Sequence, residues 1–286
     1  MANVLLIHGG AGSDNSFTET LNRYAENSSR KVSGNPLDFV VDSVRLMEDD
    51  SSFNAGTGSV KRIDGSIQMD AAVMTPNQIG AVSAIERVKN PVMVAREVML
   101  QTPHVMITGD GAIKFARALG FEDYDPTTER TENIWKKTVD YFNGKEVELP
   151  ERYSNYYKYA KIFGFPQAKD TVGAVARVDG KFAAAVSTGG SSPMMRGRVG
   201  DSPLPGAGLY AGEKGAVVAT GIGEEIIRKM MCYDIYNRIG TKPLSEIVKE
   251  KVAEFGDVLV GVIAVSMDEY ASYSNSSMAT GVCIWP

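Results

Sequence analysis

Two strand-like segments joined by a tight turn constrain the fold of this chain more than any other feature. Residues 171–178 and 181–188 are rich in valine, alanine and threonine, and Asp179-Gly180 separates them. An Asp-Gly dipeptide between two such runs is a strong signal for a two-residue β-hairpin turn. The sequence therefore predicts an antiparallel hairpin in the second half of the chain.

The register of this hairpin places two threonines side by side. A two-residue turn pairs Val178 with Lys181, and the same register carried outward pairs Thr171 with Thr188. Directly opposite residues have Cβ atoms about 5 Å apart on one face of a sheet. Threonine also has a high β propensity, so the pair taken alone is better explained by strand formation than by chemistry.

The remaining pattern indicates antiparallel sheets covered by helices. Strand signals occur in hairpins, such as the one predicted around Asp64-Gly65, while helices follow one another in blocks. Asn35-Pro36 opens one predicted helix, and a long helix is predicted over residues 224–239. Residues 122–169 are rich in charges and tyrosines and are predicted to form a partly helical connector. This order favours an α+β fold over a doubly wound parallel sheet.

The composition argues against several classes of partner. The 286 residues carry a formal net charge of -5, whereas nucleic-acid-binding surfaces are basic. No apolar run approaches the roughly 18 residues of a membrane-spanning helix, and residues 1–7 lack the basic start of a signal peptide. Only Cys232 and Cys283 occur, without the spacing of a disulfide framework or a zinc site. We therefore expect a cytoplasmic protein.

The motifs that usually supply catalytic chemistry are missing from this sequence. Its two histidines, His8 and His104, stand in no metal-binding spacing, and there is no G-x-S-x-G, G-x-G-x-x-G or Walker A motif. A threonine nucleophile would therefore need a base other than histidine. A free α-amino group on that same threonine can act as this base, with a pKa of about 8, if the chain is cut before it.

Two further segments offer groups that suit an amino-acid substrate. Thr220 and Gly221 stand at a predicted strand-to-helix turn, where a hydroxyl and a backbone N–H could bind an oxyanion. Arg198 and Asp201 lie three residues apart in a glycine-rich loop and match the opposite charges of an α-carboxylate and an α-amino group. An ordinary surface salt bridge is the alternative for that pair.

The sequence resembles the plant-type asparaginase and isoaspartyl aminopeptidase group of N-terminal-nucleophile hydrolases. The motifs that carry the resemblance run through nearly the whole chain in order: His8-Gly9-Gly10-Ala11-Gly12, Phe53-Asn54-Ala55-Gly56-Thr57-Gly58, Met69-Asp70-Ala71-Ala72, Asn90-Pro91, Thr171-Val172-Gly173-Ala174, Ser187-Thr188-Gly189-Gly190, Gly197-Arg198-Val199-Gly200-Asp201-Ser202-Pro203 and Ala219-Thr220-Gly221. The resemblance implies a four-layer αββα sandwich of two antiparallel sheets flanked by helices.

The resemblance also implies a self-cleaving precursor. One domain of residues 1–286 would cut itself between Asp170 and Thr171, giving an α chain of residues 1–170 and a β chain of residues 171–286. Asp170 stands where this group usually has glycine and matches the related glycosylasparaginases instead. Thr171 would then be the nucleophile and would supply its own amine as the base.

Roles for the other candidate residues follow from the same resemblance. Thr188 would hold Thr171, and Thr220 with Gly221 would form the oxyanion hole. Arg198 would bind the substrate α-carboxylate and Asp201 its α-amino group. Asn54 and Gly221 would complete the substrate region. The implied reaction is hydrolysis of L-asparagine and of β-aspartyl dipeptides by a homodimer of αβ units, without an organic cofactor.

The loop that precedes the Phe53-Asn54 motif matches a segment that holds a structural sodium ion in this group. The implied ligands are the backbone carbonyls of Met47, Glu48, Asp50, Phe53, Ala55 and Thr57. A plain turn explains the same sequence equally well, although oxygen ligands are those that hard cations take.

Two alternative functions stay open at the level of sequence. Asp170 and Pro205-Gly206-Ala207-Gly208 favour a glycosylasparaginase, against which the forms of the His8 and Phe53 motifs speak. The departure at Asp170 is also compatible with an uncleaved, non-catalytic amino-acid-binding protein.

Overall fold

The computed structural model describes residues 2–31, 34–144, 171–192 and 194–286. The strands in this part of the chain are β1 (Asn3–His8), β2 (Met69–Met74), β3 (Ile79–Ile85), β4 (Met106–Thr108), β5 (Val172–Val178), β6 (Lys181–Thr188), β7 (Leu209–Gly212), β8 (Gly215–Gly221), β9 (Val260–Ser266), β10 (Tyr270–Ser274) and β11 (Thr280–Trp285). The helices are α1 (Thr18–Lys31), α2 (Pro36–Asp49), α3 (Pro91–Gln101), α4 (Gly109–Ala118), α5 (Glu129–Gly144), α6 (Gly223–Arg228), α7 (Met231–Arg238) and α8 (Leu244–Ala253).

The strands form two sheets that pack face to face. The first has the order β11-β1-β5-β6-β2-β3-β4 and the second the order β10-β9-β8-β7. Helices α1 to α4 cover the outer face of the first sheet, and α7 and α8 cover the outer face of the second. The predicted four-layer αββα sandwich is thereby confirmed.

One strand pair departs from the predicted antiparallel arrangement. Strand β4 runs parallel to β3, whereas the other pairs in both sheets are antiparallel among the described residues. The reason is that α3 lies between the two strands in the chain, and a helical crossover returns the next strand in the same direction.

Side-chain alternation along the central strands creates the layers. On β5, Val172, Ala174 and Ala176 join the core under the helices, whereas Val175 joins the core between the two sheets. Successive side chains of a strand point to opposite faces, so Thr171 belongs to the side between the sheets. The same count places Thr188 and Thr220 on that side, because Val186 and Val218 belong to it.

The prediction of a β-hairpin around Asp64-Gly65 is wrong. Residues 60–68 form turns and irregular backbone, with Arg62 N donating to Ser66 O at 2.7 Å, and regular strand begins only at Met69. Strand β2 pairs with β3 and β6 instead. The Arg62 side chain is fully buried and bonds to distant backbone, which holds this segment away from a ladder.

The long helix predicted over 224–239 is also wrong in one respect, because it is divided into α6 and α7. Met230 lies between them in the left-handed region, with φ of 42°. The break turns Met231 and Ile235 into the core under the second sheet. Burial of these apolar side chains stabilises the change of direction.

Candidate active site

The two threonines at the open end of the β5–β6 hairpin are in direct contact. The predicted register is confirmed, since Val178 faces Lys181 and Val172 faces Ser187. Thr171 Oγ1 donates to Thr188 Oγ1 at 3.2 Å. Both side chains are buried between the sheets.

A glycine turn after β6 fixes the Thr188 hydroxyl. Gly190 N donates to Thr188 Oγ1 at 2.9 Å. Asn54 holds this turn on both sides, because its carbonyl accepts from Gly189 N at 2.8 Å and its Nδ2 donates to Gly190 O at 2.6 Å. Asn54 therefore supports the site from behind the turn.

Thr220 and Gly221 end β8 on the same side of the sandwich. Ala11 N donates to Thr220 Oγ1 at 3.1 Å, so the glycine-rich turn after β1 orients this hydroxyl. Gly221 has φ of +138°, and a Cβ there would collide with the carbonyl of Leu259. Only glycine therefore gives the backbone this path.

One pocket brings most of the candidate residues together. Its lining includes Thr171, Thr188, Arg198, Asp201 and Gly221. Thr220 and Asn54 bond to two further lining residues, Ala11 and Gly190 respectively. Residues from widely separated parts of the chain thus converge where the two sheets open at one end.

Arg198 has a carboxylate partner that sequence reasoning missed. Its Nε and Nη2 donate to the two oxygens of Glu224, both at 2.9 Å. Such a two-bond pair fixes the plane of the guanidinium. Glu224 follows directly on the Gly221-Ile222-Gly223 turn, and an acidic residue at a helix start was the available signal.

Asp201 is buried close to the Arg198–Glu224 pair and forms no salt bridge of its own among the described residues. Its side chain is 4% exposed, and Oδ2 has no hydrogen-bond partner among the described residues. Burial raises the pKa of Asp201 to about 7, an effect that the positive charge of Arg198 opposes and the charge of Glu224 reinforces. An oxygen of this kind is ready to accept a hydrogen bond from a cationic group in the pocket.

The two histidines are not placed to act as bases. His8 lies inside the sandwich, where its Nδ1 accepts from Gly10 N at 3.1 Å and burial lowers its pKa to about 3. His104 stands in the exposed connection before β4. His8 is therefore neutral at physiological pH.

The loop of residues 47–57 carries the carbonyls predicted as sodium ligands. Met47 O, Asp50 O and Glu48 O accept from backbone N–H groups at 2.8–3.3 Å, and Phe53 O accepts from Arg130 Nη2 at 3.3 Å. Arg130 Nη2 also donates to Ser51 O at 3.0 Å and Gly58 O at 2.9 Å. The guanidinium cation of Arg130 therefore already contacts one of the predicted ligand carbonyls, that of Phe53, and the sodium site stays a prediction.

Comparison with known proteins places the chain among hydrolases of asparagine derivatives. A family model described as asparaginase matches residues 1–282. A plant-type L-asparaginase of Pyrococcus abyssi is 38% identical over 277 residues, which cover 91% of this chain and 89% of the relative. An isoaspartyl peptidase of Escherichia coli is 39% identical over 255 residues, covering 81% and 75%.

A relative of a third kind has a slightly lower sequence identity to the chain. It is the N(4)-(β-N-acetylglucosaminyl)-L-asparaginase of Elizabethkingia miricola, 36% identical over 258 residues that cover 84% of this chain and 71% of the relative.

Among the residues that the structure describes, no helix combines the length and apolarity that crossing a membrane requires.

Proposed function

The chain belongs to the asparaginase family, and from this premise we propose that it hydrolyses the side-chain amide of L-asparagine and the isopeptide bond of β-aspartyl dipeptides. L-aspartate is a product in both cases. The observation that carries the proposal is the contact between Thr171 Oγ1 and Thr188 Oγ1 in a pocket that also contains Arg198 and Asp201.

The first step in this proposal is a single self-cleavage. Thr171 Oγ attacks the carbonyl carbon of Asp170, the bond from that carbon to the Thr171 nitrogen breaks, and an ester replaces the amide. Water then hydrolyses the ester, which leaves a carboxylate on Asp170 and a free α-amine on Thr171. The buried hydroxyl of Thr188 supports this step, because it is within hydrogen-bond distance of the attacking oxygen.

The freed amine then serves as the base in turnover. It takes the proton of the Thr171 hydroxyl as Oγ attacks the side-chain carbonyl of the substrate. Ammonia, or the amino acid of a β-aspartyl dipeptide, leaves with that proton. Water attacks the resulting ester, and L-aspartate leaves with Thr171 restored.

Thr220 and Gly221 are assigned to the oxyanion of each tetrahedral intermediate. The Thr220 hydroxyl accepts a hydrogen bond from Ala11 N, which leaves its own proton to be donated. The Gly221 N–H is the second donor. Removal of one oxyanion-hole donor in a serine protease costs about 10²–10³ in rate, and we expect a loss of the same order here.

Arg198 and Asp201 are assigned to the two charges of the substrate backbone. The guanidinium, held by Glu224 on one edge, binds the α-carboxylate. The unpaired Oδ2 of Asp201 binds the α-ammonium. Asn54 has no direct role in this scheme and fixes the turn that carries Gly190.

The enzyme needs no organic cofactor in this proposal, and a sodium ion has a structural role alone. The carbonyls of Met47, Glu48, Asp50, Phe53, Ala55 and Thr57 would hold it. Its charge would offset the carbonyl dipoles of the loop next to Asn54. Melting temperatures in sodium chloride and in choline chloride of equal ionic strength test this assignment, and identical values would remove it.

The remaining parts of the proposal concern organisation. Residues 1–286 act as one domain that is cut into two chains, two such αβ units form a homodimer, and the protein is cytoplasmic. The two cysteines, Cys232 and Cys283, are free, as expected for that compartment. Light scattering of the processed protein measures the oligomeric state.

Glycosylasparaginase activity is the second candidate, favoured by Asp170 and by the Elizabethkingia relative. Hydrolysis rates for asparagine, a β-aspartyl dipeptide and a glycosylated asparagine separate the two. Cleavage of the glycosylated substrate alone would overturn the main proposal. A chain that binds aspartate, stays uncut and hydrolyses nothing would instead be the non-catalytic binding protein.

A further inference from the structure

Arg62 is the largest side chain that is fully buried in the described part of the protein. Its exposed fraction is 0%, and Nε has no hydrogen-bond partner among the described residues. Charged side chains are almost never fully buried unless they are paired, because removal from water is costly. The position of this cation therefore needs an explanation.

The guanidinium is held by backbone carbonyls from three separate segments. Nη1 donates to Gly189 O at 3.2 Å, and Nη2 donates to Gln68 O at 3.0 Å. Nη2 also makes a longer contact of 3.4 Å with Arg198 O. A planar group with five N–H donors can reach several carbonyls at once, which a lysine ammonium cannot do in the same geometry.

On one side, these contacts lead to the nucleophile. Gly190 has no side chain, and the Arg62 guanidinium packs against its Cα where any Cβ would collide with Nη1. Gly190 N in turn donates to Thr188 Oγ1, which accepts from Thr171 Oγ1. Arg62 thus holds the turn that orients the threonine pair.

On the other side of the guanidinium, contacts of Arg62 and of Asp70 reach the loop that carries Arg198. Arg62 touches the carbonyl of Arg198, and the buried carboxylate of Asp70 accepts from Gly200 N at 3.4 Å. Asp70 also accepts from Ala84 N at 2.8 Å and lies opposite Thr188 in the sheet. The loop between Arg198 and Gly200 is therefore supported from beneath by two buried groups of opposite charge.

We propose that Arg62 is a positioning residue that connects the Gly189–Gly190 turn to the Arg198 loop. It thereby keeps a constant distance and orientation between the nucleophile and the group that binds the substrate carboxylate. This inference rests on the proposed function for the identity of the nucleophile and the substrate. Arg62 does not touch the substrate. Its effect reaches the reaction through the Gly189 and Arg198 carbonyls.

Arg177 provides a matched control. It is also buried and also donates to backbone carbonyls, namely Ser266 O at 2.7 Å, Met267 O at 2.6 Å and Ala2 O at 2.9 Å. It lies six positions beyond Thr171 along β5, about 20 Å away at the rise of a strand. Arg177→Met and Arg62→Met therefore remove similar interactions, one of them remote from the pocket.

The experiment compares wild type, Arg62→Met, Arg62→Lys and Arg177→Met at a temperature where circular dichroism shows each to be folded. Three quantities are measured: the self-cleavage rate on a denaturing gel, kcat and KM per titrated active site, and the affinity for L-aspartate by calorimetry. For Arg62→Met we expect slower self-cleavage and at least about tenfold losses in kcat/KM and aspartate affinity. Arg62→Lys should recover less than half of the loss on a logarithmic scale.

Arg177→Met should lower the melting temperature yet stay within about twofold of wild type in all three quantities, since distant sites act independently. If Arg62→Met matches Arg177→Met in these quantities, Arg62 is only a stabilising residue and the proposal is overturned. A wild type that hydrolyses neither substrate would instead refute the proposed function. The aspartate affinities and self-cleavage rates would then still decide the role of Arg62.

Discussion

Glu224 forms a two-bond ion pair with one edge of the Arg198 guanidinium, with N–O distances of 2.9 Å to both carboxylate oxygens. Arg198 lines the pocket, and its side chain is 13% exposed, whereas the side chain of Glu224 is 45% exposed. Gly223 makes this arrangement possible, because a Cβ there would come within 2.8 Å of Asp201 Oδ1 and 2.9 Å of Arg198 Nη2. The pair and the glycine together set the direction in which Arg198 faces.

Loss of the ion pair between Glu224 and Arg198 should weaken substrate binding more than it slows the chemical step. We expect Glu224→Gln to raise KM for asparagine roughly tenfold with kcat changed less than about threefold, since a charge-assisted pair contributes about 1.5–3 kcal/mol. The neighbouring Glu225→Gln is the control, because Glu225 pairs with Arg228 and not with Arg198. Steady-state kinetics of both variants provide the measurement, and a lowered KM in Glu224→Gln would contradict the positioning role.

The protonation of Asp201 should govern the pH dependence of KM. Burial raises its pKa to about 7, so below that pH the carboxyl is neutral and cannot pair with an α-ammonium. KM for asparagine should therefore fall as pH rises through about 7 and then level off. Succinamate lacks the α-amino group, and its KM should not share this fall. Equal pH profiles for the two substrates would show that Asp201 does not bind the ammonium.

Replacement of Gly221 should abolish activity for a geometric reason. A Cβ at this position would collide with Leu259 O, and φ is +138°. We expect Gly221→Ala to displace the oxyanion donor and to lower kcat at least about 100-fold. Gly109→Ala is the control, since Gly109 has φ of +56° with nothing within 4 Å of an added Cβ. Gly109→Ala should lower the free energy of unfolding by about 1 kcal/mol and leave kcat unchanged. A normal kcat in Gly221→Ala would show that Gly221 is not part of the oxyanion hole.

Glu48 should make the protein less stable at alkaline pH. It is buried, its Oε1 accepts from Val92 N at 2.9 Å, and burial raises its pKa from 4.5 to about 8. The folded state therefore favours the neutral form, and the associated stability is fully present below 4.5 and is lost as pH rises through about 8. Glu48→Gln keeps an acceptor for Val92 and cannot ionise.

Thermal unfolding of wild type and Glu48→Gln across this range is the measurement. The melting temperature of the variant relative to wild type should increase between about pH 5 and pH 8 and then level off, because only wild type loses this contribution. A difference that stays constant with pH would mean that Glu48 does not titrate in that interval.

Local rules predicted the parts of the site that depend on strand geometry. The turn at Asp179-Gly180 determined the pairing of Thr171 with Thr188, and the pattern around Gly221 predicted that Thr220 stands at the end of a strand. The glycine-rich loop indicated Arg198 and Asp201 as a charged pair, and the resemblance to the asparaginase group implied the role of each. These features depend on neighbours in the chain or in one sheet, which a single sequence can indicate.

The supporting residues could not be predicted in this way. Arg62 was interpreted as part of a strand, yet its side chain bonds to Gly189, 127 positions away, and contacts Arg198, 136 positions away. Glu224 was interpreted as a helix-start residue, although it bonds across the turn to Arg198. Contacts of this kind depend on how separate elements meet, and no local propensity or period records them.

The most direct test of the account is the identity of the new N-terminus formed by self-cleavage. Purified protein is incubated and then analysed by denaturing gel and by N-terminal sequencing, with Thr171→Ala in parallel. We expect the 30.8 kDa chain to give two fragments, the second of which begins Thr171-Val172-Gly173, while Thr171→Ala stays intact and inactive. An uncut wild-type chain that hydrolyses asparagine, or a cut that leaves Thr171 inside a fragment, would contradict an N-terminal threonine nucleophile.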